Sequence, residues 1–261
     1  MLHNEFDPNP RAIINPEDCY RPVEGFPEIC VGIFSRHILE WVLSAYGGEE
    51  ISHFGCCLGP IPIYRVEAFG ASAAVFLPLI GGPGAGGTLE ESIPQGGKYF
   101  VYFGAAGVLN REVTHGKLLL PTAAIRDEGF SYHYLPPANE VELDLESVAA
   151  CREALTALGY PFAEGKTWTT DAFFRETRDK TERRREQGCI SVEMECASLA
   201  AVARFRGVRF AQFFYATDTL DGDGWDSGIL HEKGRGLEEV CFRAAVETGK
   251  RMAGLAGRDG L

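Results

Sequence analysis

The chain places a cation, two carboxylates and a possible acid directly after apolar segments. These residues are Arg36, Glu193, Glu195 and Asp218. Ligands of open α/β sheets collect at the carboxyl ends of strands, so these side chains are the first candidates for a binding site. Glu195 could instead complement a helix dipole, and Asp218 could cap a helix or form an Asx turn. Together, however, they supply the charge and the proton donor that a small-molecule enzyme site needs.

Glycines follow several of the same apolar segments. They include Gly32, the turn Gly81-Gly82-Pro83, and residues 104–107. A glycine lets a ligand approach the backbone closely, although glycine is also a common turn former. The glycines therefore support a site at this edge of the fold without establishing it.

Apolar periodicity predicts strands that alternate with helices. The predicted strands cover residues 28–33, 61–67, 73–80, 99–103, 117–125, 189–192 and 208–216. The predicted helices cover residues 38–46, 88–92, 145–158, 196–205 and 237–255. Several strands are apolar on both faces, which indicates a mixed, mostly parallel central sheet flanked by helices. We expect an α/β fold with a single domain over residues 1–261, beginning with an irregular lead at 1–27.

Composition excludes several classes of function. The net charge of −12 argues against nucleic-acid binding, because that affinity rests on clustered cations. The first residues are acidic, and no apolar run approaches the roughly 18 residues of a membrane span. We therefore expect a cytoplasmic protein that does not bind membranes. The six histidines show no metal-ligand spacing, so we expect no metal.

Three stretches of the chain resemble the nucleoside phosphorylase family, which includes purine nucleoside phosphorylase, uridine phosphorylase and methylthioadenosine nucleosidase. They are Phe103–Gly107 with Ala124–Tyr134, Ser191–Leu199 around Glu-Met-Glu, and Ala216–Asp218. The likeness extends from about Cys30 to Thr219. It implies a phosphorylase/hydrolase-like fold and an enzyme that breaks the bond between ribose and base.

The resemblance implies a ribose site made by Glu195, Met194 and Glu193. Glu195 corresponds to the carboxylate that accepts hydrogen bonds from the ribose 2′- and 3′-hydroxyls, with Met194 packed on the sugar. Such charge-assisted bonds are about twice as strong as neutral ones. The carboxylate can also favour the positive charge that grows on the sugar as the glycosidic bond stretches.

The resemblance also implies a base site with a catalytic acid. Asp218 corresponds to the aspartate that assists N7 of a leaving purine, and uridine phosphorylases usually lack an acid there. Phe173 falls where the family stacks an aromatic on the base, although an ordinary core phenylalanine is the alternative. The other residues implied at the base are Ala106, Gly107, Thr177 and Arg178.

The implied phosphate site is Gly32, Arg36 and Ala105, and here the sequence departs from the family. The Gly-to-Arg spacing of the first loop is kept, but its Asp-Pro is lost. The family's second arginine is replaced by Tyr102, and its Ser or Thr by Ala105. Loss of hydrogen bonds to a charged ligand costs about 1.5 to 3 kcal/mol each. Either phosphate or water therefore remains open as the acceptor.

These implications converge on a pentosyltransferase of the nucleoside phosphorylase type. We expect a purine nucleoside as the favoured substrate, inorganic phosphate as co-substrate, and no further cofactor. The alternatives are a uridine phosphorylase, a hydrolytic nucleosidase and a non-catalytic nucleoside-binding protein. The resemblance further implies a homo-oligomer built on dimers, such as a hexamer, in which a neighbour completes the pocket.

Overall fold

The computed structural model describes residues 5–57, 59–222, 224–232 and 234–254, in which strands alternate with helices. The strands are β1 (Ile29–Ile33), β2 (Glu49–Phe54), β3 (Ile61–Ala68), β4 (Ala71–Phe76), β5 (Tyr99–Val108), β6 (Leu118–Asp127), β7 (Glu140–Glu142), β8 (Phe162–Thr170), β9 (Cys189–Glu193) and β10 (Arg209–Thr219). The helices are α1 (Pro16–Cys19), α2 (Arg36–Tyr46), α3 (Gly82–Gln95), α4 (Arg111–Thr114), α5 (Leu145–Ala157), α6 (Arg178–Glu186), α7 (Cys196–Arg206) and α8 (Glu238–Met252).

The strands join in one mixed sheet that contains two parallel groups. β4, β1, β5 and β10 are parallel neighbours, and so are β6, β8 and β9. The two groups meet in antiparallel pairings of β5 with β9 and of β10 with β6. The strands β5, β9, β8, β6 and β10 therefore close into a ring. β2 and β3 extend the sheet beyond β4 in antiparallel order.

The pairing of β5 with β9 positions the candidate site. It consists of Gly107 opposite Val192 and Val108 opposite Ser191. These residues lie in the last part of each strand, so the carboxyl ends of β5 and β9 meet although the strands run in opposite directions. The residues that follow both strands are thereby brought together.

Helices cover both faces of the sheet. α3 packs against α7, whereas α8 packs against α2 and α5. Successive residues of a strand point to opposite faces. Tyr102 of β5 lies opposite Gln212 of β10, so Tyr215, three positions after Gln212, points to the other face. Tyr102 accordingly faces Thr88 of α3, and Tyr215 faces Cys241 of α8. The expected α/β fold with a helix-flanked mixed sheet is confirmed.

Glycine-rich segments account for two errors of the predicted elements. Residues 81–84 were expected to form a turn before a short helix at 88–92, but α3 begins at Gly82. A Cβ atom built on Gly82 would clash with Ser198, and one built on Gly86 with Phe130, so these glycines allow close helix packing. Residues 104–107 were expected to end β5 but continue it, because Gly107 leaves room for Val192.

Other elements lacked a clear apolar pattern and were missed. They are β2, α4, β7 and β8. Within the lead expected to be irregular, Pro16–Cys19 form α1, where Asp18 accepts a hydrogen bond from the backbone N–H of Asn15 at 2.9 Å. Leu145, the apolar first residue of α5, is 81% exposed. The predicted end of the last helix, Leu255, lies outside the described residues. No helix in the described ranges is long and apolar enough to span a membrane.

Candidate active site

Glu193 ends β9 and is buried beneath the turn that leads into α7. Its Oε2 accepts hydrogen bonds from the backbone N–H groups of Glu195 at 2.8 Å and Cys196 at 2.7 Å. Its Oε1 accepts from the Thr169 hydroxyl at 2.5 Å. Two of these donors are backbone N–H groups of the turn after β9, so Glu193 fixes the shape of the turn that presents Met194 and Glu195.

Glu195 immediately precedes α7, and only 7% of its surface is exposed. Its Oε1 accepts a hydrogen bond of 2.7 Å from the backbone N–H of Gly81, which lies in the loop after β4. Gly81 has a φ of +83°, a left-handed conformation that glycine adopts without a Cβ clash. The carboxylate therefore ties the loop after β4 to the loop after β9. Met194, which lies between Glu193 and Glu195 in the sequence, is half-buried.

The electrostatics of this carboxylate pair favour a ligand that donates hydrogen bonds. Burial raises the pKa of Glu195 above the usual carboxyl range, and the neighbouring Glu193 raises it further. Burial also raises the pKa of Glu193, against the effect of its hydrogen-bond donors. Donors from a ligand, or positive charge on it, would stabilise the ionised form of Glu195.

Asp218 lies near the end of β10 with its two oxygens held by different donors. Oδ1 accepts from the Thr217 hydroxyl at 2.9 Å, and Oδ2 accepts from the indole N–H of Trp225 at 2.8 Å. A Cβ atom built on Gly107 would lie 3.6 Å from Oδ1. The structure thus brings two predicted site residues, Asp218 and Gly107, together. No sequence motif marks Trp225 as the donor to Asp218.

Glu176 is a further carboxyl near Asp218 that sequence reasoning missed. It follows the short turn Phe173–Arg175 and is half-buried. Burial, followed by the charge of Asp218, raises the pKa of Glu176 to about 7, while Lys180 lowers it. No spacing pattern could have identified Glu176, because its proximity to Asp218 depends on how the loop after β8 folds toward β10.

The other predicted base residues lie on three separate segments. Phe173 is 53% exposed, and its ring centroid is 4.1 Å from that of Phe174, so it is not a core residue. Thr177 precedes α6 and Arg178 begins it, and both are exposed. Ala106 is buried in β5, and its carbonyl oxygen lies 3.3 Å from the Thr217 hydroxyl oxygen.

The predicted phosphate residues lie at the ends of β1 and β5. Arg36 is the first residue of α2, and its side chain is exposed. Ala105 is exposed near the end of β5 but offers only a methyl group. Gly32 is covered by the ring of Tyr102, with which a Cβ atom at Gly32 would clash. Of the three, only Arg36 offers a charged side chain.

Tyr102, which stands where the family has its second arginine, points into the core. Its ring packs against Phe34, Phe76 and Phe210, with centroids 5.9, 5.9 and 6.0 Å away. Its hydroxyl makes no hydrogen bond of ordinary geometry within the described ranges, although Thr88 lowers its pKa against the dominant effect of burial. Tyr102 therefore does not replace the missing cation.

Asp218 also borders a cavity of about 670 Å³. The other walls of the cavity are mostly apolar and include Val108, Leu118 and Tyr215. Glu195 is not among the residues that line it. In this conformation of the chain, Asp218 thus borders a cavity that Glu195 does not reach.

This arrangement of strand-end glycines and carboxylates agrees with a comparison of the sequence with known families. A sequence model described as the phosphorylase superfamily matches residues 42–247. The chain belongs to the phosphorylase superfamily. Glu195 and Asp218 lie inside the matched range, whereas Gly32 and Arg36 precede it. The family resemblance drawn from the Glu-Met-Glu segment is confirmed.

Curated relatives of this phosphorylase superfamily member act on nucleosides, according to their names. The uridine phosphorylase of Escherichia coli (strain K12) is 27% identical over 160 residues, which are 56% of this chain and 63% of that protein. The uridine phosphorylase of Thermococcus kodakarensis is 29% identical over 143 residues, 50% of this chain and 52% of its own. The guanosine phosphorylase of Halorubrum lacusprofundi is 26% identical over 144 residues, 55% and 58% respectively. The chain thus spans less than two thirds of the length of these relatives.

Among solved structures, the AMP nucleosidase from Bacteroides thetaiotaomicron VPI-5482 superimposes with a TM-score of 0.72. The alignment covers 90% of this chain and 92% of that one at 18% sequence identity. The likeness shows that the two chains share a fold.

Proposed function

We propose that this phosphorylase superfamily member cleaves the N-glycosidic bond of a nucleoside, with a purine as the favoured base and phosphate as the acceptor. The observation that carries the proposal is Glu195, a buried carboxylate fixed by the Gly81 N–H at 2.7 Å. The family match and the names of the curated relatives support it.

Glu195 would hold the ribose through its 2′- and 3′-hydroxyls, with Met194 packed against the sugar. Each hydroxyl donates to an ionised acceptor, and the gain is larger because the carboxylate is buried. As the bond to the base stretches, positive charge develops on the ribose ring. A nearby carboxylate stabilises that charge more in the transition state than in the substrate, which accelerates cleavage.

Asp218 would assist departure of the base by a hydrogen bond or proton at a purine nitrogen. The Trp225 indole N–H holds Oδ2 of this carboxylate at 2.8 Å and so orients it. Glu176, with its pKa raised to about 7 by burial and the charge of Asp218, can retain a proton beside it at neutral pH. A pair of neighbouring carboxyls in which one holds a proton is suited to proton transfer.

The identity of the base is the finer part of the proposal. Asp218 supports a purine, because an acid near N7 has no counterpart in cleavage of uridine. The uridine phosphorylase relatives support uridine as the alternative substrate. The guanosine phosphorylase relative is named for a purine nucleoside, the class that Asp218 suggests.

Phosphate as acceptor rests on Arg36, an exposed cation at the first position of α2. The backbone N–H groups of this helix start can also bind an anion. Hydrolysis is the second candidate, because Tyr102 is turned into the core and Ala105 has no hydroxyl. Water needs no cation, so loss of these contacts affects it less than it affects phosphate.

The test is a panel of inosine, guanosine, adenosine and uridine incubated with the purified protein, with and without phosphate. Chromatography separates free base, ribose 1-phosphate and ribose. We expect purine release that requires phosphate and yields ribose 1-phosphate. Equal release without phosphate would establish hydrolysis, and binding without release would establish a nucleoside-binding protein.

Arg36→Ala tests the acceptor site directly. It should raise KM for phosphate while changing KM for the nucleoside little, because in the proposed site the cation would contact only the anion. Arg183→Ala is the matched control, since Arg183 is an exposed arginine in the last turn of α6. An unchanged KM for phosphate in Arg36→Ala would contradict the assigned phosphate site.

A further inference from the structure

Glu128 is a buried carboxylate beside the first turn of α7, and only 5% of it is exposed. Its Oε2 accepts hydrogen bonds of 2.9 Å from the backbone N–H of Ser131 and from the hydroxyl of Ser198. Its Oε1 accepts from the Ser131 hydroxyl, which in turn accepts from Nε of Arg126 at 2.7 Å. A buried guanidinium thus compensates the charge of Glu128 through one serine.

Ser198 connects this carboxylate to the loop that holds Glu195. It is the third residue of α7 and lies three positions after Glu195. A Cβ atom on Gly82 would clash with the Ser198 hydroxyl and would lie 3.1 Å from Cβ of Phe130. The start of α3 therefore rests directly on Ser198. Gly81, whose N–H binds Glu195, is the preceding residue.

We propose that Glu128 is a positioning residue, which sets the place of the Glu195 carboxylate through Ser198 and the Gly81 loop. The inference rests on the proposed function, because it concerns the carboxylate assigned to the ribose. Glu195 directly precedes α7, and its carboxylate accepts from the Gly81 N–H. Ser198 lies in the first turn of α7 and packs against Gly82, the residue after Gly81, so it adjoins both supports of Glu195. Loss of its bond to Glu128 would let the two supports shift relative to each other.

The ribose 2′-hydroxyl provides a readout that is specific to this role. A 2′-deoxynucleoside lacks one of the two hydroxyls that Glu195 would accept. The ratio of kcat/KM between a ribonucleoside and its 2′-deoxy analogue therefore reports how well the carboxylate is placed. A misplacement of about 1 Å can cost about 100-fold in rate, so a measurable fall is expected from a small shift.

Ser198→Ala is the principal variant, because it removes one hydroxyl and leaves Glu128 bonded to Ser131. We expect kcat/KM for the ribonucleoside to fall about 10-fold or more, and the ribo-to-deoxy ratio to fall with it. Glu128→Gln is the second variant and should change the ratio in the same direction. In a Glu195→Gln background, Ser198→Ala should have no further effect on the ratio.

Ser147→Ala is the matched control. Ser147 is fully buried, is the third residue of α5, and donates its hydroxyl to Asp144 at 2.6 Å. It has the same place in its helix as Ser198 but lies on a different helix. This substitution should leave the ribo-to-deoxy ratio unchanged, and thermal melting should show that each variant is folded.

The outcomes separate this inference from the proposed function. If wild-type protein releases no base from any nucleoside in the panel, the proposed function fails before any variant is made. If wild-type protein cleaves nucleosides but folded Ser198→Ala and Glu128→Gln lower kcat/KM equally for both sugars, the positioning role is overturned. A fall of the ratio confined to Ser198 and Glu128 variants supports it.

Discussion

Glu195→Gln keeps the volume of the side chain and removes its charge. In the structure Oε1 accepts the Gly81 N–H at 2.7 Å, and the carbonyl oxygen of glutamine can accept the same bond. The amide NH₂ group then replaces the second carboxylate oxygen. The variant therefore keeps the bond between the two loops and loses an oxygen that we propose as an acceptor for the ribose.

The size of the effect follows from the two ribose hydroxyls. A hydrogen bond to a charged group contributes about 1.5 to 3 kcal/mol, so two of them contribute at least about 3 kcal/mol. At about 1.36 kcal/mol per tenfold, kcat/KM for a ribonucleoside should fall at least about 100-fold. Burial raises the pKa of Glu195, so ionising it opposes folding, and the variant should be at least as stable as wild type near neutral pH.

The assay is steady-state base release by wild type, Glu195→Gln and the exposed control Glu142→Gln, together with melting curves for all three. The control should keep full activity. A 2′-deoxynucleoside should lose less than the ribonucleoside in Glu195→Gln, because one of its hydroxyls is already missing. A folded Glu195→Gln that stays within about threefold of wild type on both sugars would refute the ribose role of this carboxylate.

Three further predictions concern the acid, the pH dependence and the depleted phosphate site. Asp218→Ala should lower the single-turnover rate by about 10²- to 10⁴-fold and leave the calorimetric Kd of the nucleoside nearly unchanged, because an acid acts mainly in the transition state. Loss of binding in this variant would argue against the acid role. As pH rises, ionisation of Glu195 should increase kcat/KM for the nucleoside, because the ionised form would accept the hydroxyls and burial raises its pKa, while loss of the Glu176 proton near pH 7 should limit the increase. The free energy of unfolding should fall as pH rises from the usual carboxyl pKa range to the raised pKa of Glu195. In that range the folded protein binds more protons than the unfolded chain. Parallel pH profiles of activity and melting check both trends. Both should be weaker in Glu195→Gln than in wild type, with the remaining slope of stability due to Glu193 and Glu176, whose pKa values are also raised. Tyr102→Phe should leave KM for phosphate unchanged and the melting temperature equal or higher, because the hydroxyl is buried without a hydrogen bond of ordinary geometry in the described ranges. A raised KM for phosphate would show that Tyr102 reaches the anion after all.

Elements with a clear apolar pattern could be predicted from the sequence. β1 is fully buried, and α2 carries its buried residues at helical spacing before Gly47 ends it. α3 could not be predicted in full, because its glycines look like a turn unless Phe130 and Ser198 are known to pack against them. β8 was missed because polar residues in it, such as Thr169, face the buried Glu193.

The chemical character of the candidate site was also accessible from sequence. Glu195 and Asp218 stand out by their type and by their position after apolar segments, and the Glu-Met-Glu segment carried the family resemblance. Glu176 and Trp225 did not stand out, because neither lies in a motif. They matter only because the folded loops bring them to Asp218.

The sequence by itself located the strands and helices with a clear apolar pattern and the carboxyls Glu195 and Asp218, because hydrophobic periodicity and side-chain chemistry are properties of local segments. Only the tertiary structure decided that the Gly81 N–H holds Glu195 across 114 positions of sequence, and that Ser198 is anchored by Glu128 across 70. It also decided that Tyr102 turns into the core. Contacts of this kind depend on which strand ends meet, and the antiparallel meeting of β5 with β9 is set by packing of the whole sheet.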